Sequence, residues 1–256
     1  MTTIGFIYPD HAAEDDYPRA AQLLGDSARL SVEHIYGTDL HAVAELLDLG
    51  SEQRLAEGAS RLAQHSPDAV VWACTSGSFV FGHQGAAQQI AKLATASGKP
   101  ASSTSFAFAR AIHALGLHRV AIVASYPDDV ATLFKEFLAA EGIEVVSLSS
   151  AGIDTAAEVG RLPPEQVIEL AVANDHPDAE VLLIPDTAMR TIELVDTIER
   201  RLGKPVLTAN QVTIWEGLRI AGQPTRADNL GALFRTGAAD RPGGRALGEG
   251  GGNGTV

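Results

Sequence analysis

The hydrophobic positions of the chain fall into short unbroken runs separated by longer stretches with helical spacing. Ile4–Tyr8, Ala69–Ala73, Val120–Ala124 and Val181–Ile184 are each too short for a helix and too continuously apolar for a half-exposed strand. They predict central strands covered on both faces, as parallel sheets require. Between them, Glu52–His65, Ala86–Thr95, Val130–Glu141, Glu165–Ala173 and Thr191–Arg201 carry apolar residues at the three- and four-residue spacing of amphipathic helices. Alternation of the two patterns predicts an α/β fold built of βα units.

The pattern also repeats. Tyr8-Pro9-Asp10 recurs 118 residues later as Tyr126-Pro127-Asp128. The apolar run that ends at Cys74 recurs 112 residues later as the run that ends at Asp186, and Gly98-Lys99-Pro100 recurs after 105 as Gly203-Lys204-Pro205. The order is kept and the offset shrinks steadily, as in a duplication whose second copy is slightly shorter. Two pseudosymmetric halves follow, each a mainly parallel sheet flanked by helices. The expected division is 1–115 together with about 207–236 as one domain and 116–206 as the other. Ligands of open parallel sheets bind beyond the C-terminal strand ends, so the shared cleft is where Cys74 and Asp186 are expected to meet. Residues 237–256, rich in Gly, Ala, Asp, Arg and Pro, lack the apolar surface to offset ordering and predict a flexible tail, with a homo-oligomer contact left open.

Composition narrows the chemistry. A chain of 256 residues with 45% hydrophobic residues can bury a full core. Its formal net charge of −13 opposes a nucleic-acid or anionic-membrane partner, each of which needs a basic field. An anionic small molecule stays open, because hydroxyls and backbone N–H groups bind carboxylates without net positive charge. No apolar run approaches membrane-spanning length and the N-terminus lacks a signal-peptide pattern, so a cytoplasmic location is expected. The one cysteine excludes an intrachain disulfide, and no Cys/His spacing suits a structural zinc site.

That cysteine sits in Trp72-Ala73-Cys74-Thr75-Ser76-Gly77-Ser78, where a buried strand delivers a thiol and three hydroxyls to a turn of small residues. Exposed backbone N–H groups beside hydroxyls are the makings of an oxyanion site; a buried structural cysteine followed by a Ser/Thr cap is the plainer alternative. Asp186, at the matching strand end, is suited either to acid/base work or to capping the helix that follows. His83, His113 and His118 read as surface residues.

Four segments carry a resemblance. Cys74-Thr75-Ser76-Gly77-Ser78-Phe79, Leu115-Gly116-Leu117-His118-Arg119-Val120-Ala121, Ser125-Tyr126-Pro127-Asp128-Asp129-Val130 and Arg201-Leu202-Gly203-Lys204-Pro205-Val206 resemble, in order and from Ile4 to about Phe234, the arylmalonate decarboxylase and maleate isomerase branch of the aspartate/glutamate racemase superfamily. The resemblance implies two α/β halves, no metal and no organic cofactor, and a small dicarboxylate as substrate. It places Thr75, Ser76, Tyr126 and Thr187 around one substrate carboxylate, with Tyr8 and Asn210 as further polar residues of the pocket. Relatives with racemase or isomerase activity carry a cysteine on both sides of the cleft, and the decarboxylases carry glycine on the first side and cysteine on the second. This chain has Cys74 on the first side and Asp186 on the second. The expected activity is that of a maleate cis-trans isomerase, with a Cys74 thiolate, its pKa lowered by N–H groups, as nucleophile and Asp186 as proton carrier. Alternatives are a decarboxylase with Cys74 as proton donor, a racemase, or a binding protein that has lost catalysis. The loops Leu40–Leu47 and Ala151–Gly160 shape the pocket in a way the residue pattern does not reveal.

Overall fold

The computed structural model describes residues 1–25, 27–223 and 226–236; the tail expected at 237–256 lies outside the described residues. The first half runs β1 (Thr2–Pro9), α1 (Asp16–Leu23), β2 (Ala28–Ile35), α2 (Val43–Leu49), α3 (Glu52–Leu62), β3 (Ala69–Trp72), α4 (Ser76–Phe79), α5 (Gly82–Ser97), β4 (Ala101–Ser103) and α6 (Thr104–Leu115). The second runs β5 (Arg119–Ala124), α7 (Asp128–Ala140), β6 (Glu144–Ser150), α8 (Ala156–Val159), α9 (Pro164–Ala173), β7 (Val181–Ile184), α10 (Val195–Leu202) and β8 (Val206–Thr208), followed by α11 (Ala209–Ile220) and α12 (Gly231–Arg235).

Each half contains one four-stranded parallel sheet, ordered β2-β1-β3-β4 in the first and β6-β5-β7-β8 in the second. The orders are the same, so the weak sequence repeat is a repeat of topology. The Gly-Lys-Pro matches show its physical content. Gly98 and Gly203 stop α5 and α10 in the left-handed conformation, at φ 63° and 68°, which glycine adopts without the steric penalty of a Cβ. The proline two residues on ends any helical continuation and leads into the short strands β4 and β8.

Every residue of β3 and β7 is buried, and β5 is buried beyond its first residue, which accounts for the unbroken apolar runs. The partner strands are different. β2 and β6 are edge strands with half-exposed, mixed sequences, and β4 and β8 have three residues each. None of the four has a run long or apolar enough to announce itself. The helix expected from Thr191 starts only at Val195, because residues 191–194 form a turn tied to α1. After β8 the chain returns to the first half, where α11 packs on α6, β3 and β4.

Candidate functional site

Cys74 follows β3 after Ala73 and is 3% exposed. Its sulfur accepts the N–H of Gly77 at 3.2 Å and lies 3.7 Å from the Ser76 hydroxyl. Glycine is needed at 77 because a Cβ there would stand 3.1 Å from the sulfur and 2.9 Å from the Trp72 ring. Burial pushes the Cys74 thiol up to about 11; the Gly77 N–H and the Ser76 hydroxyl oppose this, and the charge of Asp186 adds to it. The expectation of a depressed thiol pKa is therefore corrected: the N–H groups act in the foreseen direction, but desolvation outweighs them.

Asp186 follows β7 after Pro185 and is also 3% exposed. Oδ1 accepts the N–H of Ala188 at 2.8 Å, and Oδ2 accepts the hydroxyl of Ser125 at the end of β5. The capping alternative changes accordingly: Asp186 closes a turn at 187–189, and α10 begins nine residues further along. Two tyrosines fix that turn from either side. Tyr126 donates to the carbonyl of Pro185 at 2.6 Å, and Tyr8, from the other half, donates to the carbonyl of Thr187 at 2.7 Å. Burial raises both phenols well above their ordinary range, so both keep their hydrogens. These hydroxyl hydrogens are already engaged in holding Asp186, which differs from the free carboxylate-binding hydroxyls the resemblance implies.

Asn210, at the start of α11, reaches the same turn beside the cleft. Its amide hydrogens go to Asp16 Oδ2 at 2.9 Å and to the Thr187 carbonyl at 3.1 Å. It braces the seam between the halves. Asp16 Oδ2 also accepts the N–H of Thr191 at 3.0 Å; desolvation still raises its carboxyl to about 6 against these favourable contacts.

Cys74, Ser76, Asp186, Thr187 and Tyr8 line one narrow cleft, partly open to solvent. Thr75, between Cys74 and Ser76 in the chain, is fully buried, does not line the cleft, and has a hydroxyl that meets no hydrogen-bond partner at ordinary distance. The two loops that the residue pattern left unplaced close the cavity together. Leu40 and Thr155 pair as an antiparallel bridge, His41 N–H donates to Asp154 O at 2.7 Å, and Ala156 N–H donates to Asp39 O at 2.9 Å. This clasp brings in His41, which sequence reasoning passed over. Its side chain is 5% exposed, and its Nε2 is 3.8 Å from Asp186 Oδ2. Ser125 was overlooked too, although it opens the Ser-Tyr-Pro-Asp motif. Of the histidines read as surface residues, His83 is half-buried against Glu141.

Among the described residues one cluster has donors suited to a metal ion. His11, Glu14 and His34 bring ligand atoms within 4.8 Å of one another on the rim, outside the Cys74–Asp186 cavity. The chain has no described helix long and apolar enough to cross a membrane.

A sequence family described as Arylmalonate decarboxylase matches residues 4–234. An arylmalonate decarboxylase from Bordetella bronchiseptica is 30% identical, over 91% of this chain and 96% of its own length. A maleate isomerase from Geobacillus stearothermophilus is 27% identical, over 81% of this chain and 82% of its own. Among solved structures, a liganded double mutant of arylmalonate decarboxylase, with one glycine replaced by cysteine and one cysteine by serine, superimposes with a TM-score of 0.83 at 26% identity, covering 92% of this chain and 100% of that one.

Proposed function

Because the chain belongs to the arylmalonate decarboxylase family, we propose that it is a cofactor-independent enzyme of the maleate cis-trans isomerase type, acting on a small cis-unsaturated dicarboxylate through Cys74. The observation that carries this reading is the pairing of a lone thiol at the end of β3 with a carboxyl group at the end of β7, both lining one cleft.

A thiol raised to about 11 is protonated at neutral pH, so addition to a double bond requires a base. Asp186 takes the Cys74 proton as the sulfur bonds to one alkene carbon, and the π electrons pass to the other carbon and its carboxylate as an enediolate. Thr75, Ser76 and the N–H groups of their turn hold that carboxylate, with the buried Thr75 hydroxyl as one donor. Asp186 returns the proton to the enediolate carbon, giving a saturated thioether free to rotate about the former double bond. Removal of a proton from the same carbon and loss of the sulfur then release the trans acid and restore the thiol. Protons and electrons balance within the cavity.

A second reading is favoured by the decarboxylase relative: the same donors stabilise an enediolate left by loss of CO₂, and Cys74 protonates it. Incubation with maleate, followed by proton NMR for fumarate and by mass spectrometry for an adduct on Cys74, tests the first reading. CO₂ release from phenylmalonate tests the second. An enzyme that converts neither acid, and whose Cys74→Ser form differs in neither assay, rules out both.

A further inference from the structure

We infer that His41 and Asp186 form a single proton-carrying pair, in which His41 acts through Asp186 as a positioning residue and proton reservoir. The inference rests on the reading of Asp186 as the acid/base.

The ring of His41 is held in one orientation. Nδ1 is 2.9 Å from the carbonyl of Ile153, which can only accept, so Nδ1 carries a hydrogen. In the neutral ring Nε2 is then a bare lone pair, and it is this atom that faces Asp186 Oδ2 at 3.8 Å. The ring stands edge-on to Tyr126, with centroids 5.0 Å apart and planes at 89°, and Tyr126 in turn holds Pro185 next to Asp186. The remaining contacts of Asp186 come from Ala188 N–H and the Ser125 hydroxyl, neither of which accepts an acidic proton under ordinary conditions. His41 is the basic group placed to receive it.

Charge gives the pair a second purpose. The cavity is lined by Asp10, Asp39 and Asp186 together with Cys74 and Tyr8, and no Lys or Arg is among its lining residues. A dicarboxylate entering such a site meets like charge in a low-dielectric surrounding. Protonation of the pair removes one negative charge from the wall the substrate approaches, so binding of an acid draws a proton into the site. The pair forms across the halves, because His41 comes from the loop after β2 and Asp186 from the end of β7. It is complete only when the clasp is closed.

His41→Asn and His41→Ala test this. An Asn amide can still donate to Ile153 O but lacks Nε2. With whichever of maleate or phenylmalonate the wild type converts, His41→Asn is expected to lower kcat about 10²-fold with a smaller change in KM. Imidazole in the medium should restore turnover to His41→Ala, and pyrrole, of similar size but without basicity, should not. Unfolding midpoints of all variants are measured alongside. Wild-type kcat in His41→Asn, or a loss in His41→Ala that imidazole leaves untouched, overturns the inference. If the wild type converts neither acid, the functional reading fails separately, and the pair is read from calorimetry of succinate binding in buffers of different ionisation heat. Proton uptake by the wild type that disappears in His41→Asn supports the pair; no binding, or binding without uptake, overturns it.

Discussion

The ends of β3 and β7 occupy equivalent places in the two sheets, yet their environments differ. At the first, a soft uncharged sulfur accepts one N–H and lies near one hydroxyl, in surroundings that keep it protonated. At the second, a carboxyl group accepts an N–H and a hydroxyl, faces an imidazole, and sits in a turn fixed on both sides by tyrosines. The backbone device is shared, each side chain curling back over an N–H two or three residues on. The two positions are topologically equivalent, and on the proposed reading the chemistry is divided between their side chains. Two cysteines could exchange roles; a thiol and a carboxyl cannot, because only the thiol is a good carbon nucleophile and only the carboxyl has strong local proton partners.

The sharpest way to break the comparison is to remove the nucleophile. Cys74→Ser should lower turnover by roughly 10⁴–10⁶-fold in a steady-state assay while leaving dicarboxylate binding measurable by calorimetry. A residual rate near wild type would mean that the β7 end alone supports the reaction. Asp186→Asn comes next, with an expected loss of about 10²–10⁴-fold in kcat. Its amide retains an acceptor for Ala188 N–H, so the unfolding free energy should change little; normal turnover would reduce Asp186 to a turn-closing residue. Asp186→Cys would restore a cysteine at each strand end, and new isomerase or racemase activity would show that this position sets the reaction.

The seam between the two halves provides a third test. Asp16 has a folded pKa near 6, above the ordinary carboxylate value of 3.8, so the folded state binds its proton more tightly than the unfolded chain does. The resulting stabilisation is full below about pH 4 and disappears as the pH rises through 6. Urea unfolding of wild type and Asp16→Asn should therefore diverge from pH 4 to 7, the wild type losing about 2–3 kcal/mol relative to the variant. Parallel curves would refute the assignment. The last test concerns the thiol itself and needs no substitution: the rate of iodoacetamide labelling of the free enzyme should rise about tenfold per pH unit from 7 towards 11, as the thiolate fraction does. A plateau by pH 8 would place the thiol pKa far lower and return Cys74 to a thiolate resting state.

What the residue pattern disclosed, and what it withheld, follows from the same physics. Strands buried on both faces advertise themselves through unbroken apolar runs, so β1, β3, β5 and β7 were legible, and with them the two positions at their ends. Edge strands need only one apolar face or three residues, so β2, β4, β6 and β8 left little trace. Cys74 and Asp186 were legible because sequence-local position fixes them. His41 was not, because its meaning depends on a loop from the other half: nothing in Leu40-His41-Ala42 indicates Ile153 or Asp186. The tyrosines were found but given a freer part than they have, since a motif shows where a hydroxyl is and not which carbonyl already holds it. Likewise the thiol pKa depends on desolvation, which the string of small polar residues around Cys74 disguises.

The clasp of Leu40 on Thr155 also bears on the tempo of catalysis. It consists of a single bridge with a few backbone hydrogen bonds, joining the loop before α2 to the segment that leads into the one-turn helix α8. Such contacts open with free energies at the low end of those in a folded protein, on microsecond to millisecond timescales. On the proposed reading, an acid that enters and the isomer that leaves would both pass this clasp, and the bond-making steps would happen behind it. A substitution such as Thr155→Pro, which removes a clasp residue without changing Cys74 or Asp186, would then speed exchange with solvent at the expense of the water-free interval in which an enediolate survives, and the clock of such an enzyme would be set at its rim.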